Sequence, residues 1–345
     1  MKIAGFDIGG ANTDLAIVDF DNDGNIGNIT VDFEFLPMWS NKEDLGETLL
    51  DLIAKNDNLL DIDAIGISMT AELVDAYETK ELGVIDIVNK VRDTFDLPIA
   101  FIGLNSTYSY CDALKNPLDL AAANWVGTSQ LVSKISQNCI FIDTGSTTTD
   151  IIPIKNGKEV AIGRSDYERL ASGELVYTGV LRTNLVSFLD SISLNNQEYN
   201  IASELFATTA DVFNVLDLIS PEDFSCSTSD GCGKTKLDSM RRIARVLCAD
   251  LNMISENEII EVSKFIYQKQ VEQIAKSLKK VSKRENLDLV VTTGLGGEIL
   301  DKLAALSLNL KTISMRDYYT DEECVVAPAI GTAILMEEYI KNING

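Results

Sequence analysis

Two short segments of this chain carry the same residues in the same register. FDIGGANTD at 6–14 and FIDTGSTTTD at 141–150 each follow an apolar run, and Asp7, Gly9, Thr13 and Asp14 align with Asp143, Gly145, Thr149 and Asp150. In each copy a carboxylate ends a buried strand, glycine and small hydroxylated residues make a tight turn, and a second strand begins. That arrangement brings backbone N–H groups close to a phosphate. The donors on offer are the amides of Gly9, Gly10, Gly145 and Ser146, the side chain of Asn12, and the hydroxyls of Thr13, Thr144, Thr147 and Thr148. Two such turns facing each other would clamp a polyphosphate.

Composition limits what else the chain can do. It contains no histidine, which excludes His-dependent triads, His-ligated zinc and imidazole acid/base chemistry. Carboxylates, hydroxyls, Lys, Arg and a hard metal must serve instead. The net charge of -24 argues against nucleic acid or an anionic membrane as a partner, because a polyanion is repelled over most of the surface. The same charge leaves an anionic ligand in need of local cations or a metal. Six cysteines are scattered without a Cys-x-x-Cys pair; Cys226 and Cys232 are the one close pair, and ordinary reduced thiols are expected over zinc or disulfide roles. No apolar run approaches the roughly 20 residues needed to span a bilayer, and the chain reads straight into a strand, so a cytoplasmic location is expected.

The elements that must position these residues are legible in outline. With 345 residues and 46% hydrophobic content, the chain can bury a large core and should form two α/β domains. Strands over 2–8, 14–20 and 29–35 form a meander. A capping-box pattern at Ser40 and Glu43 opens a helix with Leu45, Leu49, Leu52 and Ile53 on one face. A strand over 63–69, a helix over 83–95 and a strand over 98–103 follow. The second copy starts with strands over 139–143, 148–154 and 158–162, is interrupted by several helical segments over about 163–285, resumes at 288–294 and ends in a helix over 327–342. The interruption holds 15 of the 29 Lys and Arg residues. Its KKVSKR run reads as a solvated helix face, whereas Arg182, among the apolar residues of VYTGVLRTNLV, is a candidate anion ligand.

The two turns, ANWVGTSQLV (123–132), VVTTGLGGEIL (290–300) and APAIGTAIL (327–335) together resemble the five ordered elements of the actin-like ATPase and sugar-kinase superfamily. The resemblance implies two ribonuclease-H-like domains, one over 1–136 with the last helix packed back on it, the other over 137–326 with a mainly helical insertion. It also implies that Gly294, Gly296 and Gly297 form a nucleotide-like segment. SMTAELVDAYETKELGV (68–84), GELVYTGVLRT (173–183), ARVLCAD (244–250) and the loop CSTSDG (226–231) are similar to an archaeal hydantoinase-A-like family linked to tetrahydromethanopterin-dependent one-carbon transfer. One branch of that family serves methanofuran biosynthesis.

That branch implies an aryl-ether-forming transferase, which joins the phenol of γ-glutamyltyramine to 5-(aminomethyl)furan-3-ylmethyl diphosphate and releases diphosphate. On this reading Asp7 and Asp143 hold magnesium. Glu72 and Asp75 are the candidate bases, on one face if TAELVD is helical; the alternative is that they are helix-start acids facing the macrodipole. Arg182 pairs with a glutamyl carboxylate, and Tyr177, with Tyr167, Trp125 and Phe188, supplies aromatic walls. The competing readings are an ATP-dependent small-molecule kinase or hydantoinase-like ATP-using enzyme, and a nucleotide-gated binding module; ATP is a cofactor only there.

Overall fold

The computed structural model describes residues 1–344. The chain divides into two compact units: Met1–Asn138 with Ile154–Arg169 and the segment from Met315, and Cys139–Pro153 with Leu170–Ser314.

The first unit is built on a six-stranded sheet. β1 (Lys2–Ile8), β2 (Asn12–Phe20) and β3 (Ile26–Phe35) form the antiparallel meander. β4 (Ala64–Met69) and β5 (Ile99–Ile102) add in parallel on the other side of β1, and β6 (Thr107–Tyr108) closes the edge, giving the order β3-β2-β1-β4-β5-β6. β1 is buried from Ile3 to Ile8, as a central strand covered on both faces must be. Ala4, Phe6 and Ile8 share a core with Leu49, Leu52 and Ile53 of the helix Leu45–Asn56 and with Val84, Ile87 and Val91 of the helix Lys80–Thr94. Alternation puts Gly5 on the opposite face. There the helix Ala327–Asn344 lies so close that a Cβ at Gly5 would come within 2.2 Å of Ala329 O. The helix Asn124–Ile135 crosses that helix glycine to glycine, a Cβ at Gly331 meeting Gly127 O at 1.9 Å.

The second sheet repeats the plan. β7 (Asn138–Thr144), β8 (Thr149–Lys155), β9 (Lys158–Glu159), β10 (Leu175–Val176), β13 (Leu289–Thr293) and β14 (Lys311–Ser314) give the order β10-β8-β7-β13-β14, with β9 beside β8. Each sheet is therefore an antiparallel start followed by two parallel strands, the ribonuclease-H-like order. Between β10 and β13 lie the hairpin β11 (Ser191–Leu194) and β12 (Gln197–Asn200) and three longer helices. Asn195 and Asn196 carry φ of 51° and 62°, the left-handed pair a two-residue type I′ turn needs. The helix Glu256–Glu285 starts in a Ser255/Glu258 capping box; its Val262 and Ile266 enter one core cluster and its Val271 and Leu278 another.

The structure corrects several expectations. Ser40 does not cap the first long helix: its hydroxyl donates to Pro37 O and Asn41 Oδ1, because the chain already turns helically at Met38–Asn41. That helix starts at Leu45 behind Asp44, with the predicted face buried. The strand expected over 158–162 stops at Glu159, and β10, inside the expected insertion, takes its place next to β8. The observed division also differs from a continuous second domain over 137–326, since Ile154–Arg169 groups with the first unit. Arg164 holds it there, donating to Leu104 O at 2.9 Å while paired with Glu159 at 2.9 Å. Among the described residues no helix is long and apolar enough to cross a membrane.

Candidate functional site

The two turns share one internal bond. Gly9 N–H donates to Asn12 O and Gly145 N–H to Thr148 O, each at 2.9 Å and each three residues apart. The glycine amides are thus consumed in shaping the turns, and Gly9 and Gly145 are not the phosphate donors expected. The next amides, Gly10 and Ser146, have no protein acceptor among the described residues. Thr13 and Thr144 are also withdrawn. Both are fully buried, and Thr144 Oγ1 bonds Asp301 Oδ1 and lies 2.9 Å from Thr149 Oγ1. Gly10 and Asn12 on the first turn, and Ser146, Thr147 and Thr148 on the second, remain at least partly exposed. The second turn is braced from behind: Leu181 and Arg182 N–H groups donate to Ser146 O at 3.0 and 2.9 Å.

Asp7 ends β1 almost fully buried, accepting from Ser68 Oγ at 2.8 Å and from Asn124 Nδ2 at 3.1 Å. Asn124 opens the helix Asn124–Ile135 within the segment ANWVGTSQLV, and no spacing in the sequence marks it as a partner of Asp7. Opposite Asp7 in the β1/β2 register is Asp14, whose carboxyl is held well above the usual range by burial and then by the Asp7 charge. Such a carboxylate pair suits a divalent cation. Among the described residues no three acidic or thiol side chains converge as a metal cluster.

Asp143 is half-buried at the end of β7, next to Thr293 of β13 in register. A Cβ at Gly294, where φ is +74°, would lie 2.2 Å from Asp143 Oδ1, and one at Gly296 would lie 2.5 Å from the Thr144 side chain. Gly296 N–H also donates to Thr144 O at 2.8 Å. Gly297 opens a one-turn π-helix, Gly297–Asp301, that carries Asp301 to Thr144. Burial raises the Asp301 carboxyl to about 7 against the opposing Thr144 hydrogen bond. Backbone packing on the second turn by itself accounts for Gly294 and Gly296.

Glu72 and Asp75 do not share a helix face. Only Ala71–Leu73 is helical, as a single 3-10 turn, and Val74 is extended, which leaves Asp75 exposed. Glu72 is 1% exposed, with Oε2 buried and without a hydrogen-bond partner among the described residues, and Oε1 3.6 Å from Lys80 Nζ. Burial raises its carboxyl to about 7 even though Lys80 pulls the other way. Lys80 also donates to Asp166 at 3.3 Å, and Asp166 pairs with Arg169 at 3.4 Å. No spacing in the sequence signals that chain of charges, because 86 residues separate Lys80 from Asp166.

Arg182 and Tyr177 are brought together. Both are exposed and both line a cavity of about 750 Å³ that Thr147 of the second turn also borders. The other aromatic candidates are not at this cavity. Trp125 is core, its ring under the Arg169 guanidinium at 5.0 Å, and Tyr167 stands on the surface of the first unit. Cys226 is buried and Cys232 exposed, both as free thiols.

A protein of Methanocaldococcus jannaschii named (4-{4-[2-(γ-L-glutamylamino)ethyl]phenoxymethyl}furan-2-yl)methanamine synthase is 39% identical over 99% of both chains. Among solved structures, a nucleotide-free acetone carboxylase superposes with a TM-score of 0.61 at 11% identity, covering 96% of this chain and 70% of its own. A ROK family glucokinase from Streptomyces griseus gives 0.50 at 13% identity over 97% and 99%. At these identities the structural likeness speaks for the fold alone. The hydantoinase/oxoprolinase family pattern spans residues 63–339, four-fifths of the sequence, and takes in the second turn but not the first. With a full-length relative beside that match, the chain belongs to the hydantoinase/oxoprolinase family.

Proposed function

We propose that this chain is a transferase of methanofuran biosynthesis, which joins the phenol of γ-glutamyltyramine to 5-(aminomethyl)furan-3-ylmethyl diphosphate. The observation that carries the reading is end-to-end likeness to a synthase named for the ether-containing product. The new bond runs from the phenol oxygen to the furanylmethyl carbon. The bond from that carbon to the diphosphate oxygen breaks, its electron pair leaves with diphosphate, and the phenol proton passes to a base.

On the second turn, the Ser146 amide and the Thr147 and Thr148 hydroxyls are the candidate donors that would stabilise a leaving phosphate as its charge develops; the Ser146 amide, with no protein acceptor among the described residues, supports this. Asp7 and Asp143 are each the candidate magnesium carboxylate of their own turn. Magnesium, when bound, would neutralise diphosphate charge. Glu72 is the better candidate base, because a carboxyl raised to about 7 is half in its basic form at neutral pH, whereas Asp75 lies in open solvent. Arg182 and Tyr177 are the candidate acceptor contacts. The setting of this reading is the cytoplasm, with small molecules, not nucleic acid or membrane, as partners.

A phosphoryl-transferring kinase is the second reading, favoured by the turns alone. Product analysis separates the two. The purified protein is given γ-glutamyltyramine with either the furan diphosphate or ATP, and diphosphate release without ADP formation is expected. ADP formation that requires the phenol would sink the transferase reading.

A further inference from the structure

The cavity beside the second turn has an unusual charge for this molecule. The chain carries 53 acidic and 29 basic residues, yet among the described residues the charged groups lining this cavity are Arg182, Lys276 and Lys280, with no carboxylate. Lys280 is engaged, its ammonium donating to Ala171 O. Arg182 and Lys276 have no ion pair or hydrogen bond through their side chains among the described residues. Cations left unpaired in an acidic protein call for an anion from outside.

The same wall carries a second signal. Gln273, one helical turn from Lys276 on the helix Glu256–Glu285, has a buried side-chain oxygen, Oε1, with no hydrogen-bond partner among the described residues. A buried acceptor left unsatisfied destabilises the fold unless a ligand supplies the donor. Residues three apart lie on one helix face, so the acceptor and the Lys276 cation address one ligand. Tyr177, 64% exposed, offers a ring at the same cavity, and Thr147 joins the cavity to the phosphate turn. About 750 Å³ falls in the range of small-molecule sites.

We propose that this cavity binds the free amino-acid end of the acceptor: Arg182 and Lys276 take the α-carboxylate, and Gln273 Oε1 accepts from the α-ammonium. This rests on the transferase reading for the identity of the acceptor and goes beyond it in assigning Lys276 and Gln273 as specificity-determining residues. The arrangement discriminates by charge pattern. A ligand with both ionic groups satisfies all three side chains, one lacking the ammonium leaves Gln273 unsatisfied, and bare tyramine engages neither cation.

Calorimetric binding to the full chain tests this with γ-glutamyltyramine, glutaryl-tyramine, which lacks the α-ammonium, and tyramine. Lys276→Ala should weaken both carboxylate-bearing ligands about tenfold or more and tyramine less than twofold. Gln273→Leu should weaken γ-glutamyltyramine alone. Lys276 is exposed, so its variant should fold as the parent does, and circular dichroism checks both variants. Equal losses for all three ligands, no losses, or failure of the parent to bind γ-glutamyltyramine would overturn the assignment. If the binding pattern holds but diphosphate is never released in the turnover assay, the transferase reading falls and the amino-acid site stands.

Discussion

At the scale of single residues, the proposed roles of two carboxyls can be tested directly. Glu72 has a folded-state pKa of about 7 against an ordinary 4.5, with burial as the cause. Between those values the folded chain holds a proton that the unfolded chain releases, so stability falls as pH rises from about 4.5 to 7 and then levels off. Glu72→Gln should remove its share of that slope, up to about 3 kcal/mol by the size of the shift. If Glu72 is the base, the rate should rise with pH through a limb centred near 7, not at the usual carboxylate range, and the variant should lose that limb while a more acidic phenol restores part of the rate. A variant that changes the stability slope but keeps the limb would make Glu72 a structural acid. Asp143→Asn should lower turnover by orders of magnitude with the fold intact, and EDTA should inactivate the parent until magnesium is restored. Full activity in either case would remove the metal assignment at the second turn.

At the scale of elements, backbone contact explains positions that side-chain chemistry does not. A Cβ at Gly83 would lie 2.3 Å from Glu72 O and 2.8 Å from its Cα, so the helix Lys80–Thr94 presses directly on the turn that carries the candidate base. Gly83→Ala should therefore cost roughly 1–3 kcal/mol by denaturant unfolding and displace Glu72, lowering activity. Gly331→Ala, aimed at Gly127 O, should cost a similar amount; unfolding midpoints equal to the parent's would show that these helices tolerate separation. The turns and both sheets were legible because an Asp-Gly-hydroxyl turn after an apolar run has a local cause. Glu72 and Asp75 do not share a face because three-residue spacing gives one only where the backbone stays helical, and at Val74 it is extended. Thr144 was misread because its hydroxyl is claimed by Asp301, which lies 157 residues away in sequence. Gln273 and Lys276 left no trace beyond an ordinary amphipathic helix.

At the scale of the whole molecule, the charge of -24 acts on every approaching substrate, and the three ligands of this chemistry respond to it differently. The diphosphate donor is a net anion, tyramine a cation, and γ-glutamyltyramine a zwitterion with no net charge near neutral pH. Salt shortens the reach of the protein's field from about 30 Å at 0.01 M to about 8 Å at 0.15 M. Local cations at the cavity act at contact distance and are screened less. Raising potassium chloride over that range at fixed magnesium should therefore raise kcat/KM for the donor severalfold, lower it for tyramine, and leave γ-glutamyltyramine nearly unchanged. The sign is the diagnostic, because a site whose attraction dominated the long-range field would capture the donor best at low salt. A donor profile that falls with salt would show that the cations near the phosphate turn outweigh the net charge, and that the acidic surface does not govern substrate encounter.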